Sequence, residues 1–356
     1  MKSLIPLNLK IIKNFMNLDF KLDDPKSYKV IVLRVPEDLE GRLLSFSFFH
    51  HLREKFSEAQ IHFITPKWRI EVLNLLPFQA FYHEVEQTEM KDIFDVHRFA
   101  ATAKIGAVDL YLNLTESFLD TFLGFSLKAK VRLGFEENWK KYLLTHKMPR
   151  LRGQHVAEEQ LELLKLLPVG EVDLKLKCLS RDLDCVVPNK DERPYLAIDL
   201  SPLYESEIDD AWVEFVNLMS KQRIIFFASS EPEKANLYYE SFRKKLSPNN
   251  VYDFFIYSDW IVLGKLLAHA QGVITYQGAI AALSTYVGSR TIILYERENA
   301  QERAPFYFLS DFLILDLKDP TLRANVMKDS GSLIPRSKFN MDEVFQRAYS
   351  FFRLSF

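Results

Sequence analysis

The chain has 356 residues, 48% hydrophobic and 26% charged, with a formal net charge of −2. That balance excludes a disordered chain, and the near-zero charge excludes a global field drawing it to nucleic acid or an anionic membrane. The length suits two domains, each large enough to bury its own core. Two cysteines, Cys178 and Cys185, make neither a disulfide framework nor a metal spacing, which fits a reducing, cytoplasmic compartment. The first twenty residues have apolar runs broken by Asn and Lys. They read as a short lead-in packed on the first domain, neither a clean signal peptide nor a membrane span.

In chain order, Tyr28–Leu33 is a β-branched run expected of a strand buried on both faces. A loop ending at Gly41 leads into a helix predicted over Arg42–Phe56, with an apolar stripe at Leu43, Leu44, Phe46, Phe49, Leu52 and Phe56. His50 and His51 sit side by side on it, point in different directions, and cannot chelate one metal together. Strands follow at Ile61–Ile64, Phe81–Val85, Val108–Leu114 and Lys130–Gly134, alternating with helices at Val72–Leu76, Asp92–Ile105, Phe118–Ser126 and Val156–Leu167. Residues 168–194, with Pro168, Gly170, Pro188, Asn189 and Pro194, read as the crossing between halves.

The rhythm then restarts. Strands are predicted at Tyr195–Leu200, Arg223–Ala228, Gly272–Thr275, Thr291–Tyr295 and Phe312–Leu315. Helices are predicted at Trp212–Met219, Glu233–Lys245, Ile261–Ala270, Ile280–Val287 and, in the tail, Met341–Phe351. Alternating strands and helices argue for βαβ units and parallel sheets. The fold class is α/β: two tandem Rossmann-like domains, with a ligand site expected in a cleft at the strand carboxyl ends.

Several segments carry a more specific likeness. They are LREKFSEAQIHFITPKW (Leu52–Trp68), VDLYLNL followed by KVRLGF, HVAEEQLELLKLL (His155–Leu167), IIFFASSEPEKAN, and LGKLLAHAQGVITYQGAIAALSTYVGSRTIILY, in which Gly278 and Gly288 lie ten residues apart. In order and spacing these resemble the ADP-heptose:lipopolysaccharide heptosyltransferases, glycosyltransferase family 9, over most of residues 28–316. The resemblance implies a GT-B fold with parallel sheets facing across a cleft. It implies an acceptor-side domain at 1–185, a nucleotide-sugar domain at 186–340, and a helix at 341–356 packing back on the first domain. It also implies a nucleotide diphosphate sugar, ADP-heptose-like, as donor and a glycolipid acceptor. No cofactor, metal or nucleic acid is expected, and membrane contact is at most peripheral.

Four polar positions depart from the family pattern. Gly41 is followed by Arg42 where the family has Asp, the expected general base; Tyr276-Gln277-Gly278 stands for Asp-Ser/Thr-Gly; Ala281 replaces a His; and Asp210 replaces a Lys ahead of Trp212. Such a transferase needs a helix N-terminus or cation for the diphosphate and a carboxylate to take the acceptor proton. Asp38 and Glu40, with Arg42 beside them, are the catalytic nominees; the competing reading makes them a solvated, helix-capping acidic loop and an exposed ion pair. Gly278 either opens a phosphate-binding helix or merely permits a tight turn. Gln277 can donate a hydrogen bond, and Tyr276 can stack on a base. Ser201, Tyr204, Ser230 and Glu233 fall where the family contacts the nucleotide, but Ser201-Pro202 is also ordinary turn chemistry, and Ser230 with Glu233 is also a capping box. Two functions remain open: a glycosyltransferase, heptosyltransferase-like, acting in lipopolysaccharide biosynthesis, or a catalytically inactive GT-B protein that binds without turnover.

Overall fold

The computed structural model describes residues 27–68, 70–86, 90–150, 153–167, 194–203, 210–219, 221–228, 232–248, 251–257, 259–296, 303–304, 312–323 and 339–353. The expected lead-in and most of the expected crossing between halves, with both cysteines, lie outside them. The chain divides into two compact units, Met1–Lys175 and Leu176–Phe356.

The first unit is a six-stranded parallel sheet in the order β3-β2-β1-β4-β5-β6. Its strands are β1 (Val30–Arg34), β2 (Gln60–Pro66), β3 (Phe81–Val85), β4 (Leu110–Asn113), β5 (Val131–Glu136) and β6 (His146–Pro149). Ile31 of β1 pairs with Ile61 on one side and Leu110 on the other, so the central strand is apolar on both faces and buried on both. The helix expected over 42–56 is two, α1 (Leu39–Leu44) and α2 (Phe46–Lys55). Ser45 divides them, its hydroxyl donating back to the Gly41 carbonyl at 2.7 Å. Further along come α3 (Ile93–Thr102), α4 (Phe118–Ser126) and α5 (Val156–Leu164). Asp92 and Ser117 cap α3 and α4 by accepting backbone N–H groups of the first turn. Val32, Ile64, Val96, Tyr111 and Leu123 form the core between the sheet and these two helices.

The second unit repeats the order as β9-β8-β7-β10-β11-β12. Its strands are β7 (Tyr195–Asp199), β8 (Arg223–Ala228), β9 (Tyr252–Ile256), β10 (Gly272–Tyr276), β11 (Thr291–Tyr295) and β12 (Phe312–Asp316). The helices are α6 (Asp210–Leu218), α7 (Pro232–Arg243), α8 (Trp260–His269), α9 (Ala279–Tyr286) and α10 (Met341–Phe352). The apolar face of α10, with Met341, Val344, Phe345, Ala348 and Phe352, enters the core of this same unit beside Trp212 and Phe215. Phe345 meets Phe215 edge-on with ring centroids 6.3 Å apart. Its stripe is matched by aromatic residues of α6. Phe352 lies directly over Gly272, whose missing side chain makes room for the ring. Among the described residues no helix is long and apolar enough to cross a membrane, and no group of three His, Cys, Asp or Glu side chains could hold a metal.

Candidate functional site

In each unit the connections reverse direction between two central strands, β1 and β4 in the first and β7 and β10 in the second. Open parallel sheets bind ligands beyond the carboxyl ends of such a pair. Both ends carry buried polar groups here.

In the first unit, Arg34 closes β1 and is 2% exposed. A cation so deep needs partners for its whole fork. Nε donates to Asp120 Oδ1 at 2.7 Å, Nη1 to the Ile64 carbonyl at 3.3 Å, and Nη2 to Glu37 Oε1 at 3.0 Å. Asp120, in the first turn of α4 and 2% exposed, accepts the Thr115 hydroxyl on its second oxygen at 2.7 Å. Above this network opens a pocket of about 260 Å³, lined by Arg34, Glu37, Pro66, Val85, Glu86, Met90, Ser117, Leu119 and Asp120. Its lining holds one buried cation and three carboxylates.

The three nominees of the neighbouring loop do not line that pocket. Asp38 is the N-cap of α1, accepting the Gly41 N–H at 2.7 Å. Glu40 sits half-buried in the first turn of α1. Arg42 is wholly buried rather than part of a surface ion pair. It donates to the carbonyls of Pro36, Glu37 and Trp68 at 3.4, 3.2 and 3.4 Å, with its guanidinium 5.5 Å from the Trp68 ring centroid. Burial and the nearby Arg34 charge lower its pKa to about 10, against the attraction of Asp38, Glu71 and Glu37, so it stays charged at neutral pH. The pocket's acids are instead Glu37, Glu86 and Asp120. Of these, only Glu37 belongs to the loop that the sequence singled out.

In the second unit the last residue of β7, Asp199, is 3% exposed. It accepts the Ser201 N–H at 2.9 Å and the Thr275 hydroxyl at 3.0 Å. The carboxylate thereby joins the ends of β7 and β10, the two strands at the switch point. Burial raises its pKa, opposed by the hydrogen bonds from Ser201 and Thr275. Ser201 is thus held in an Asx-type turn under Asp199.

Gly278 follows β10 as the N-cap of α9 with φ 130° and ψ −157°, a conformation reserved for glycine, and no side chain caps the helix. A Cβ built there would meet nothing within 4 Å. The first turn of α9 thus has no side-chain cap and has open space beside its glycine at the switch point, and helix N-termini of this kind receive phosphate oxygens elsewhere. Gln277 turns its carboxamide oxygen to the Glu296 N–H at 2.9 Å. The Tyr276 ring packs into an aromatic group, 6.3 Å from Trp212 and 6.2 Å from Phe339. Glu233 is exposed in the first turn of α7, and Asp210 pairs with Lys245 at 2.7 Å. Tyr204 and Ser230 lie outside the described residues, so the capping box has no geometry here.

No protein-family model and no curated protein matches the chain. Solved structures do. A glycosyl transferase family 9 protein from Veillonella parvula superposes with a TM-score of 0.72 at 14% identity, covering 94% of this chain and 99% of that one. The ADP-heptose lps heptosyltransferase II of E. coli gives 0.65 at 14% identity, covering 91% and 98%. The E. coli heptosyltransferase WaaC with ADP gives 0.70 at 11% identity, covering 90% and 99%. The fold is GT-B. The likeness read from the segments of the sequence is therefore a likeness of the whole architecture.

Sequence reasoning passed over Asp120, Asp199 and Thr275. Asp199 did leave a signal, a carboxylate ending a fully apolar strand. Asp120 left none, because its partner Arg34 is 86 residues away.

Proposed function

We propose that the chain is a glycosyltransferase, moving a sugar from a nucleotide diphosphate donor to a lipopolysaccharide-core or related glycan acceptor. The observation that carries this is the glycine-led, side-chain-free N-terminus of α9 at the switch point of the second unit, open above Gly278. A diphosphate there accepts hydrogen bonds from backbone N–H groups, with the helix dipole opposing its charge and no metal needed. Ser201, Tyr204, Ser230, Glu233, Tyr276 and Gln277 are the donor-side candidates read from the sequence. Two structures of one fold relative, E. coli heptosyltransferase WaaC, point to ADP and ADP-linked heptose as the first ligands to try, one with ADP and one with ADP-2-deoxy-2-fluoro heptose.

On the acceptor side the geometry favours Glu37 over Asp38 and Glu40 as proton acceptor. Glu37 lines the pocket, its side chain is 54% exposed, and Arg34 holds it at 3.0 Å. An acceptor hydroxyl beside it would lose its proton to Oε as its oxygen attacks the anomeric carbon and the nucleoside diphosphate leaves. A second reading, a GT-B protein that binds without turnover, draws on the commitments of Asp38 to a helix cap and of Arg42 to three carbonyls.

Calorimetry with ADP, UDP and GDP, and with ADP-heptose alongside, tests the proposal. Selective ADP binding supports the donor site. Absence of any nucleotide binding overturns it. Binding without sugar transfer to any core-type acceptor leaves the second reading.

A further inference from the structure

One face of the first unit has a chemistry that the pocket does not use. On α4, Phe118, Phe122 and Phe125 follow helical spacing, and their rings stack in sequence with centroids 6.4 and 5.8 Å apart. Phe118 and Phe125 are 42% and 41% exposed. Beside them, the 3₁₀ turn Asn138–Tyr142 presents Trp139, 70% exposed, and Tyr142, 40% exposed, 5.8 Å apart. Two bridges fix turn and helix as one surface. The Arg132 guanidinium lies 5.8 Å from the Phe125 ring and donates to the Leu143 carbonyl at 2.7 Å. At the other end, Lys140 donates to the carbonyl of Glu116, just before α4, at 2.6 Å. Exposed contiguous aromatic surface of this kind marks an interaction site.

Charge says with what. Residues 125–150 hold seven lysines and arginines against two glutamates, in a chain whose net charge is −2. Lys140 is paired with Glu137 at 2.7 Å, Lys130 with Asp109 at 2.6 Å and Arg150 with Glu159 at 2.8 Å, and Arg132 is turned to backbone carbonyls, so Lys128, Lys141 and Lys147 set the charge of the face. Lys128 and Lys147 are exposed, and Lys141 lies over the Tyr142 ring at 5.3 Å. A second copy docking by a two-fold axis would set these cations against themselves. A single-stranded nucleic acid would need aromatic rings splayed along a groove, whereas these phenylalanines stack on one another along a helix ridge. Indole and phenol rings beside lysines are the side chains that settle at a lipid headgroup boundary.

We infer that the ridge of α4 and the Trp139–Tyr142 turn form a docking face for an anionic lipid bilayer. Phe118, Phe125 and Trp139 enter the headgroup layer, and Lys128, Lys141 and Lys147 meet the lipid phosphates. The inference stands on the first unit alone and does not require the transferase reading.

The test uses the full chain with vesicles of phosphatidylglycerol and phosphatidylcholine, or phosphatidylcholine alone, in a sedimentation assay. Binding to the anionic vesicles is expected, weakening as salt rises. Trp139→Ser with Phe125→Ser should lower partitioning at least tenfold, and Lys147→Glu by roughly fivefold or more per charge removed. Lys147→Glu should leave the unfolding temperature nearly unchanged, and Trp139→Ser with Phe125→Ser should lower it only modestly, by the loss of the Phe125 contacts with Phe122 and Arg132. Three results would overturn the inference: no partitioning onto anionic vesicles, partitioning indifferent to these substitutions, or concentration-dependent self-association that the same substitutions abolish. ADP binding, measured in parallel on the same variants, separates the two readings. Vesicle binding without ADP binding sinks the transferase alone, and the converse sinks the docking face alone.

Discussion

Removing the Asp120 carboxylate should unfold the first unit early, by an amount the buried ion pair sets. Arg34 and Asp120 are each 2% exposed and meet at 2.7 Å. In Asp120→Ala, Arg34 stays desolvated with Nε unanswered, and the Thr115 hydroxyl loses an acceptor. Stripping one partner from a buried pair costs about 3–5 kcal/mol. The remaining ion pair to Glu37 sits at a side chain 54% exposed and recovers little. For a domain of this size that is a fall in unfolding temperature of roughly 6–20 °C. Hydrogen exchange on peptides from β1 and β4 reads this unit separately from the other. The companion variant Arg34→Met, and the double variant, complete a cycle. Because two apolar groups can replace a buried pair at little cost, the double variant should be more stable than Asp120→Ala alone. A loss under about 1 kcal/mol, or strict additivity, would refute the claim that this pair organises the strand ends.

Three further outcomes follow from the geometry. Gly278→Ala meets no clash but forces a left-handed backbone that costs about 1–3 kcal/mol; calorimetry should show at least a tenfold loss of ADP affinity with the rest of the second unit intact. Gly272→Ala drives a methyl into the Phe352 ring, so it should destabilise by about 1–3 kcal/mol in thermal unfolding, and Phe352→Leu should partly relieve it. On the first sheet, His62 Nδ1 and His83 Nε2 lie 2.9 Å apart, and burial lowers both pKa values, that of His62 to about 4 with the His83 charge adding to the effect. Since the unfolded chain takes up protons near pH 6.5 and the folded pair resists them, stability should fall as pH drops from about 6.5 to 4. Hydrogen exchange in β2 and β3 should show that slope, and His62→Phe should flatten it.

Arg223–Ala228 and Thr291–Tyr295, buried throughout, agree with the sequence residue for residue, and so does the more exposed edge strand Phe81–Val85. Two edge strands escaped. His146-Lys147-Met148-Pro149 has no apolar run, because an edge strand needs only one neighbour and tolerates proline on its open side. Tyr252–Ile256 is interrupted by Asp253, which pairs with Arg223 at 2.8 Å across the ladder. The break at Ser45 was hidden because the apolar stripe runs through both helices. At the sites, spacing identified Gly278, whose backbone demand is local. Glu37, Asp120 and Asp199 acquire their roles from partners brought close only by the sheet, and no local pattern records such partners.

Arg42 bears on any attempt to alter this site. At the position where the resemblance implies an acid, this chain has a cation seated among three backbone carbonyls, and those carbonyls belong to the turns that end β1 and β2. Arg42→Asp would turn a carboxylate toward three carbonyl oxygens and take the donor from each of them. The turns that end β1 and β2 are therefore organised around a donor. An acid at this position would need new partners for the carbonyls of Pro36, Glu37 and Trp68, which one substitution does not supply.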